Sequence, residues 1–169
     1  MPDATGLEIT AQELREADPA SVLGTELHRD RAVLIVNPPH VHAVLERLRS
    51  VGYSFLASLH GCDYYPDEPR LGVLYELLDM ERVDRITVKA RVHSDAPTIA
   101  SVVELFPGAD FPEREVYDMF GVVFEGHPDL RRILMPEDYE GFPQRRDFPL
   151  GGEPVLFTYN EEQNYGKWQ

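Results

Sequence analysis

Charged side chains that could carry chemistry are concentrated between residues 113 and 154, beginning with three carboxylates. Glu113 and Glu115 would point to different sides of a helix, whereas Glu115 and Asp118 would be neighbours of like charge. A proton-transfer site needs carboxylates that converge, so this spacing favours ion pairs with arginine instead. The arginines that we expect as partners are Arg114, Arg131 and Arg132.

His127 is the candidate for general acid–base chemistry, because imidazole titrates near neutral pH and Asp129 follows closely. No nucleophile stands beside it in the sequence. A histidine in a Gly-His-Pro turn more often fixes a loop through hydrogen bonds, and we take this as the first interpretation. A free-standing soluble hydrolase or lyase that uses His127 with a nearby carboxylate remains the alternative from another class.

Three consecutive charged residues, Arg145, Arg146 and Asp147, lie further along the same stretch. Arginine presents a fork of donors that fits a phosphate or a quinone head group. The competing interpretation, which we favour, is an anchor at a protein interface. Arginine and aromatic side chains dominate interfaces, and the aromatic candidates here are Tyr139, Phe142 and Phe148.

His60, Cys62 and Asp63 could be metal ligands, but no second cluster stands at the spacing of a zinc site. Cys62 is the only cysteine, which excludes an internal disulfide and the set of thiolates that an iron–sulfur cluster needs. No GxGxxG or Walker-type loop supports nucleotide binding. We therefore expect no catalytic, cofactor-binding or metal-binding residue in this chain.

Composition limits the chain to one proper core. With 169 residues, 43% of them hydrophobic, it is too short for two sizeable domains. The net charge of −14 opposes binding to nucleic acid or anionic lipid and favours a partner with basic patches. No apolar run approaches the roughly 20 residues that cross a bilayer, and the N-terminus lacks the pattern of a signal peptide. These features predict a cytoplasmic location.

The segment after residue 121 is predicted to be an extended arm. Half of the prolines fall between residues 107 and 154, which excludes a long helix or a central strand there. Aromatic residues recur every few positions in the same segment, so simple disorder is a poor explanation. Such a segment needs a surface to lie on, either its own domain or another subunit. We divide the chain into an α+β domain, 1–121, and a partner-binding arm, 122–169.

Hydrophobic periodicity predicts the elements of the domain. The clearest helix follows Pro39, with Val41, Val44, Leu45, Leu48 and Val51 on one face and Gly52 as its C-cap. The other predicted helices cover residues 11–17 after Thr10, 97–105 with Ile99, Val102, Val103 and Phe106 inward, and 112–120 ending at Gly121. The predicted strands are residues 31–36 and three runs between 53 and 93 that form an antiparallel meander.

These elements predict an α+β fold. We expect a four-stranded mixed sheet with helices on one face, followed by an extended, largely irregular C-terminal arm.

Motifs in order along some forty residues carry a family resemblance. They are Glu113-Arg114-Glu115, Asp118-Met119-Phe120-Gly121, Gly126-His127-Pro128, Arg131-Arg132 and Arg145-Arg146-Asp147-Phe148-Pro149-Leu150. This stretch resembles the C subunit of respiratory complex I, the proton-translocating NADH-quinone oxidoreductase. Related subunits occur in photosynthetic-type NDH complexes, deazaflavin-dependent dehydrogenases and membrane-bound hydrogenases, and these parent complexes remain alternatives.

The resemblance implies a cofactor-free structural subunit of the hydrophilic arm of the complex. It implies packing against the D-type subunit of the quinone module, near the B-type subunit, with the I-type ferredoxin-like subunit as a further candidate partner. The parent complex is expected to hold FMN, iron–sulfur clusters and quinone. The expected location is the cytoplasmic side of the bacterial cell membrane, where partner subunits hold the chain.

Overall fold

A computed structural model of the chain describes residues 4–28 and 31–149. Within them the helices are α1 (Ala4–Ala17), α2 (Val41–Ser50) and α3 (Asp110–Phe120). The strands are β1 (Val22–His28), β2 (Arg31–Val36), β3 (Phe55–Asp63), β4 (Leu71–Asp79), β5 (Asp84–Val92), β6 (Thr98–Ala100) and β7 (Val123–Glu125). Short 3-10 turns at Pro38–His40 and Pro107–Ala109 lead into α2 and α3. None of the helices in the described residues is long and apolar enough to span a membrane.

Five strands form the main sheet, in the order β1-β2-β5-β4-β3. β2 and β5 are parallel, whereas β1 pairs antiparallel with β2, and β3, β4 and β5 form the predicted antiparallel meander. The predicted count of four strands is wrong because it omits β1. A register shift between Val22 and Gly24 interrupts the alternation of β1, so the sequence lacks the period of two that marks a strand. β3, the other edge strand, carries a similar shift between Leu56 and Ser58.

One face of the sheet forms the hydrophobic core with the helices. Every second residue of β4 is fully buried, and Tyr75 at its centre is among the largest of these side chains. Leu34 of β2 and Val88 of β5 are paired neighbours on the same face. The helices contribute Leu7, Ala11 and Leu14 from α1, Val41, Val44, Leu45 and Leu48 from α2, and Val116, Met119 and Phe120 from α3.

The first two helices follow their apolar spacing. α1 begins well before the predicted start at residue 11, because Leu7 continues the buried face of Ala11 and Leu14. α2 lies at its predicted position, but its C-cap is Val51 and not the predicted Gly52. Val51, predicted on its buried face, is 38% exposed because the helix ends at Ser50.

The predicted helix at residues 97–105 is wrong. Residues 98–100 form β6, which pairs in parallel with β7. The apolar spacing is helix-like, and Ile99, Val102 and Phe106 are indeed buried. Two backbone N–H groups at its centre, however, bind outside the segment: that of Ser101 donates to the carbonyl of Glu125, and that of Val102 donates to the Glu113 carboxylate. These partners replace the hydrogen bonds that a helix would have made.

α3 begins at Asp110, two residues before its predicted start, and ends at Phe120 with Gly121 as its C-cap, as predicted. Gly121 has a left-handed φ of 75° and donates its N–H to the carbonyl of Tyr117. The chain then enters β7, and Val122 and Phe124 are 0% and 2% exposed in the core. The division of the chain into a domain, 1–121, and an arm, 122–169, stays a prediction. Because Val122 and Phe124 are part of the core, a truncation that tests this division has to retain β7.

From residue 126 to 149 the chain forms turns and irregular backbone, with no helix or strand. This segment is called the arm below. The predicted arm also includes residues 150–169, which lie outside the described residues.

Candidate functional site: the arm and its carboxylate anchors

Asp118, near the end of α3, is the first anchor of the arm. Its side chain is fully buried, and Oδ1 accepts a hydrogen bond from Nη1 of Arg132 at 2.7 Å. Oδ2 accepts three consecutive backbone N–H groups, from Ile133, Leu134 and Met135, at 3.1, 2.7 and 2.8 Å. Burial alone would raise the pKa of Asp118, but these donors outweigh it and lower the pKa. A single ionised carboxylate therefore holds four positions of the arm.

Arg70 is the centre of the second anchor. Its Nε and Nη2 donate to the two oxygens of Asp63 at 2.8 and 2.6 Å, and its Nη1 and Nη2 donate to Asp147 at 2.7 Å each. The backbone N–H of Arg146 completes the cluster by donating to Asp63 Oδ2 at 2.7 Å. The guanidinium of Arg70 holds the pKa of Asp63 well below its usual range, even though burial opposes this. The forked contact of Arg70 with Asp147 and the hydrogen bond from Arg146 to Asp63 thus tie the arm to the end of β3 and to the link between β3 and β4.

Aromatic rings lie between the two anchors. Arg145 donates from Nε to the carbonyl of Phe120 at 2.6 Å and stacks on the ring of Phe142 at 4.6 Å. Burial and the nearby Arg70 lower the pKa of Arg145. Tyr139 and Phe148 stack with their centroids 6.2 Å apart. The guanidinium groups that could have bound a phosphate or a quinone head group are thus engaged within the chain, and Arg146 also contacts the carbonyl of Tyr65.

Glu113 and His127 meet in a separate buried cluster. The side chains of both are 0% exposed, and Nε2 of His127 is 4.0 Å from Oε2 of Glu113. Glu113 accepts hydrogen bonds from the N–H of Val102 and the hydroxyl of Ser101, both at 2.7 Å, while burial raises its pKa. The cluster connects α3 to the segment that follows β6.

The imidazole of His127 fixes the turn after β7. Its Nδ1 accepts the N–H of Asp129 at 3.0 Å, so Nε2 carries the hydrogen and donates to the carbonyl of Asp110 at 3.2 Å. Both nitrogens are occupied and the ring has no exposed surface. In this arrangement the ring presents no surface to a substrate, and its hydrogen bonds serve the turn.

The remaining candidates lie nearer the surface. Arg114 donates to the backbone carbonyls of Arg131 and Arg132 at 3.2 and 3.3 Å, and in the described part of the chain it makes no ion pair with a carboxylate. Arg131 pairs instead with Asp129 at 2.9 Å, and both side chains are more than half exposed. Glu115 is exposed on α3. Of the three arginines expected to pair with the carboxylates of α3, only Arg132 does so, with Asp118.

Sequence reasoning missed the second anchor. It considered Asp63 only as a possible metal ligand beside His60 and Cys62, an interpretation that it rejected, and it did not consider Arg70. Asp63 is buried at the end of β3, whereas His60 is exposed. Among the residues that the structure describes, no group of three or more His, Cys, Asp or Glu side chains is placed to hold a metal ion. Asp63 and Arg70 flank the sequence YYPDEP, and this pair of opposite charges was the feature of the sequence that could have indicated the second anchor.

A family model described as respiratory-chain NADH dehydrogenase, 30 Kd subunit, matches residues 34–154. The chain belongs to this family. The resemblance seen in the sequence is thereby confirmed, and the matched range includes all three aspartates of the two anchors.

Relatives named as subunits of NADH-quinone oxidoreductase support the assignment. The C-type relative from Roseiflexus sp. (strain RS-1) is 43% identical over 157 residues, which cover 91% of this chain and 90% of that protein. Subunit 5 from Thermus thermophilus is 48% identical over 118 residues, which cover 64% of this chain and 57% of that protein. The match to the Roseiflexus protein covers nearly the whole of both chains, and this extent of similarity places that protein in the same family as this chain.

Two solved structures share the fold. One is a trypsin-resistant fragment of Nqo5, residues 1–134, with a TM-score of 0.64 and 31% identity, covering 73% of this chain and 99% of the fragment. The other is a chain of the membrane-bound sulfane sulfur reductase, an archaeal respiratory membrane complex, with a TM-score of 0.70 and 23% identity. It covers 95% of this chain and 92% of that chain, and at this identity the likeness concerns the fold alone.

Proposed function

We propose that this chain is a cofactor-free structural subunit of the hydrophilic arm of a proton-translocating NADH-quinone oxidoreductase. It supports electron transfer from NADH to quinone by holding neighbouring subunits in place, and it takes no part in the chemistry. The observation that carries this proposal is the use of the charged residues. The charged residues of the two anchors bind one another and the backbone, as expected of a structural role. These residues are Asp118, Arg132, Asp63, Arg70 and Asp147.

The proposed partners are the D-type and B-type subunits of the quinone module, with the I-type ferredoxin-like subunit as a further neighbour. Support comes from the family, whose relatives are named as subunits of NADH-quinone oxidoreductase. The net charge of −14 supports attachment through proteins with basic surfaces over direct attachment to anionic lipid. The proposed location is the cytoplasmic side of the cell membrane.

The test is affinity purification of the tagged chain from detergent-solubilised native membranes, with mass spectrometry of the proteins that follow it. We expect the D-type and B-type subunits together with the NADH-binding subunits. Recovery of hydrogenase subunits instead would assign the chain to another parent complex, and recovery of no oxidoreductase subunit would refute the proposal. Treatment with a chaotrope should release the chain from membranes, because no lipid anchor is proposed.

The cofactor-free part of the proposal has its own measurement. The purified chain should show no flavin absorbance, no stoichiometric iron and no oxidation of NADH. Iron at one equivalent or more in a clean preparation would contradict it. Turnover of a substrate by the isolated chain would favour the alternative enzyme that uses His127.

A further inference from the structure

Three large apolar side chains are exposed where the arm crosses α3. Phe111, Ile133 and Leu134 are 61%, 37% and 60% exposed. Phe111 lies in the first turn of α3, and the other two belong to the part of the arm that Asp118 binds. We call these three residues, together with Arg114, the apolar tip.

Arg114 contacts both parts of the tip, Phe111 on α3 and the arm next to Ile133. Its guanidinium lies over the ring of Phe111, 5.6 Å from the centroid, and donates to the carbonyl of Arg132, directly before Ile133. The described residues place no carboxylate in an ion pair with it, although the chain carries a net charge of −14. The tip is therefore a cationic group between exposed apolar groups on an acidic protein.

The backbone under the tip is already fixed. The N–H groups of Ile133 and Leu134 both donate to Asp118 Oδ2, so these residues present their side chains outward from a backbone with satisfied donors. Apolar residues on a preorganised backbone lose little conformational freedom on binding, which favours a tight protein contact. Solvent exposure of three such side chains in one place has an energetic cost that a partner would remove.

We infer that the apolar tip is a docking surface for another protein subunit, and that its receptor is an apolar pocket with a carboxylate at the rim. The pocket takes Leu134 and Phe111, and the carboxylate forms the ion pair that Arg114 lacks within the described residues. The cation between the apolar groups favours a receptor that carries a carboxylate, whereas the net charge of −14 opposes both anionic lipid and a second copy of the chain, since each would bring like charge. The inference rests on the proposed function as a subunit of a complex.

The first experiment compares exposed apolar positions inside and outside the tip. Leu134→Asp and Phe111→Asp are introduced into the tagged full-length chain, with Met80→Asp as the matched control, since Met80 is 67% exposed in the turn between β4 and β5. We expect each tip variant to lower the recovery of partner subunits from membranes by about tenfold or more, and the control to leave it within about twofold. Equal recovery from Leu134→Asp and Met80→Asp would overturn the inference.

The second experiment identifies the receptor and does not depend on a charged variant that could disturb folding. A photoreactive benzoylphenylalanine replaces Leu134, or Met80 as the control, and cross-linked peptides are sequenced. We expect position 134 alone to cross-link to a co-purifying subunit, at an apolar segment next to Asp or Glu. Arg114→Lys should retain more of the partner than Arg114→Gln, because only lysine keeps the charge. Cross-links to a second copy of this chain or to lipid would refute the assigned occupant.

These experiments distinguish a failure of the proposed docking surface from a failure of the proposed function. If the wild-type chain recovers no oxidoreductase subunit, the proposed function fails before the tip is tested. If the wild-type chain recovers them and the tip variants do so equally well, only the docking surface is wrong.

Discussion

Leu134 donates its backbone N–H to the carboxylate of Asp118 at 2.7 Å, and this contact binds the arm to the end of the helix that precedes it. The neighbouring N–H groups of Ile133 and Met135 donate to the same oxygen. An extended segment without helix or strand has few backbone partners of its own. Here one buried carboxylate provides them, and the arm lies on its own domain as a result.

The Asp118 anchor should be sensitive to loss of charge. Asp118→Asn keeps the size of the side chain but removes the negative charge that Arg132 and three N–H groups face. We expect the free energy of unfolding to fall by about 3 kcal/mol, because a buried ion pair loses one partner. Urea unfolding of the purified variant measures this change, and a loss below about 0.5 kcal/mol would mean that the anchor is weak.

Arg70 should matter more than an arginine at the surface. Arg70→Met leaves the buried Asp63 without its main donor and frees Asp147 from the domain, so we expect a loss of roughly 3 kcal/mol and faster amide hydrogen exchange in residues 145–148. Arg131→Ala is the control, because its pair with Asp129 is exposed and should contribute about 0 to 1 kcal/mol. Similar destabilisation by both variants would contradict the distinction.

Acid should weaken the anchors. The pKa values of Asp63 and Asp118 are lowered in the folded chain, so their contribution to stability is fully present above the unfolded pKa of about 4 and is lost as the pH falls through the folded values. We expect wild-type stability to decline between about pH 5 and pH 2, and Asp63→Asn to decline less steeply. Melting curves across this range check the slopes, and parallel slopes would exclude Asp63 as a source.

Gly121 should not accept a side chain. Its φ of 75° disfavours any L-residue, and a Cβ there would lie 2.5 Å from a ring carbon of Phe142. We expect Gly121→Ala to destabilise the chain by about 2 kcal/mol. Gly108→Ala is the control, since a Cβ at Gly108 would meet no atom within 4 Å. Thermal melting of the two variants compares them, and an unchanged Gly121→Ala would show that the turn and the ring can both shift.

Truncation tests the division of the chain. A fragment that ends after Gly126 keeps β7 and the core residue Phe124 but loses the donors to Asp118 and the contact between Arg70 and Asp147. We expect it to stay folded, because the periodic apolar residues of the core are retained, and to melt below the full chain. It should also fail to recover partner subunits. An unfolded fragment, by circular dichroism and size exclusion, would assign the arm to the core of the domain.

The sequence predicted those parts of the fold that depend on local pattern. β2, β4 and β5 follow from runs of apolar or alternating residues, α2 follows from its apolar face, and Gly121 ends α3 as expected. β1 escaped prediction because its register shift removes the alternation on which recognition depends. The helix predicted at residues 97–105 failed because partners distant in sequence, Glu113 and Glu125, take its backbone N–H groups.

The sequence predicted that the candidate site would consist of ion pairs between carboxylates and arginines, but it did not predict all of the pairs. The sequence indicated that carboxylates near residue 118 bind arginines near residue 132, and Asp118 and Arg132 do so. It could not indicate that Arg70 reaches Asp147, because the two residues are 77 positions apart and no local period relates them. It also left open which surface the arm lies on, since aromatic spacing shows only that some surface is needed. Both the pairing of Arg70 with Asp147 and the surface on which the arm lies depend on contacts between residues that are distant in the sequence.

The two register shifts in the main sheet fall in its outermost strands, β1 and β3. An outermost strand carries a free row of N–H and C=O groups, which another copy of the same chain can extend into a shared sheet and eventually a fibril. A shift breaks the regular spacing of that row, so the strand of a second molecule cannot match it along its length. The placement of these shifts disfavours edge-to-edge pairing of two copies of the chain at both sides of the sheet.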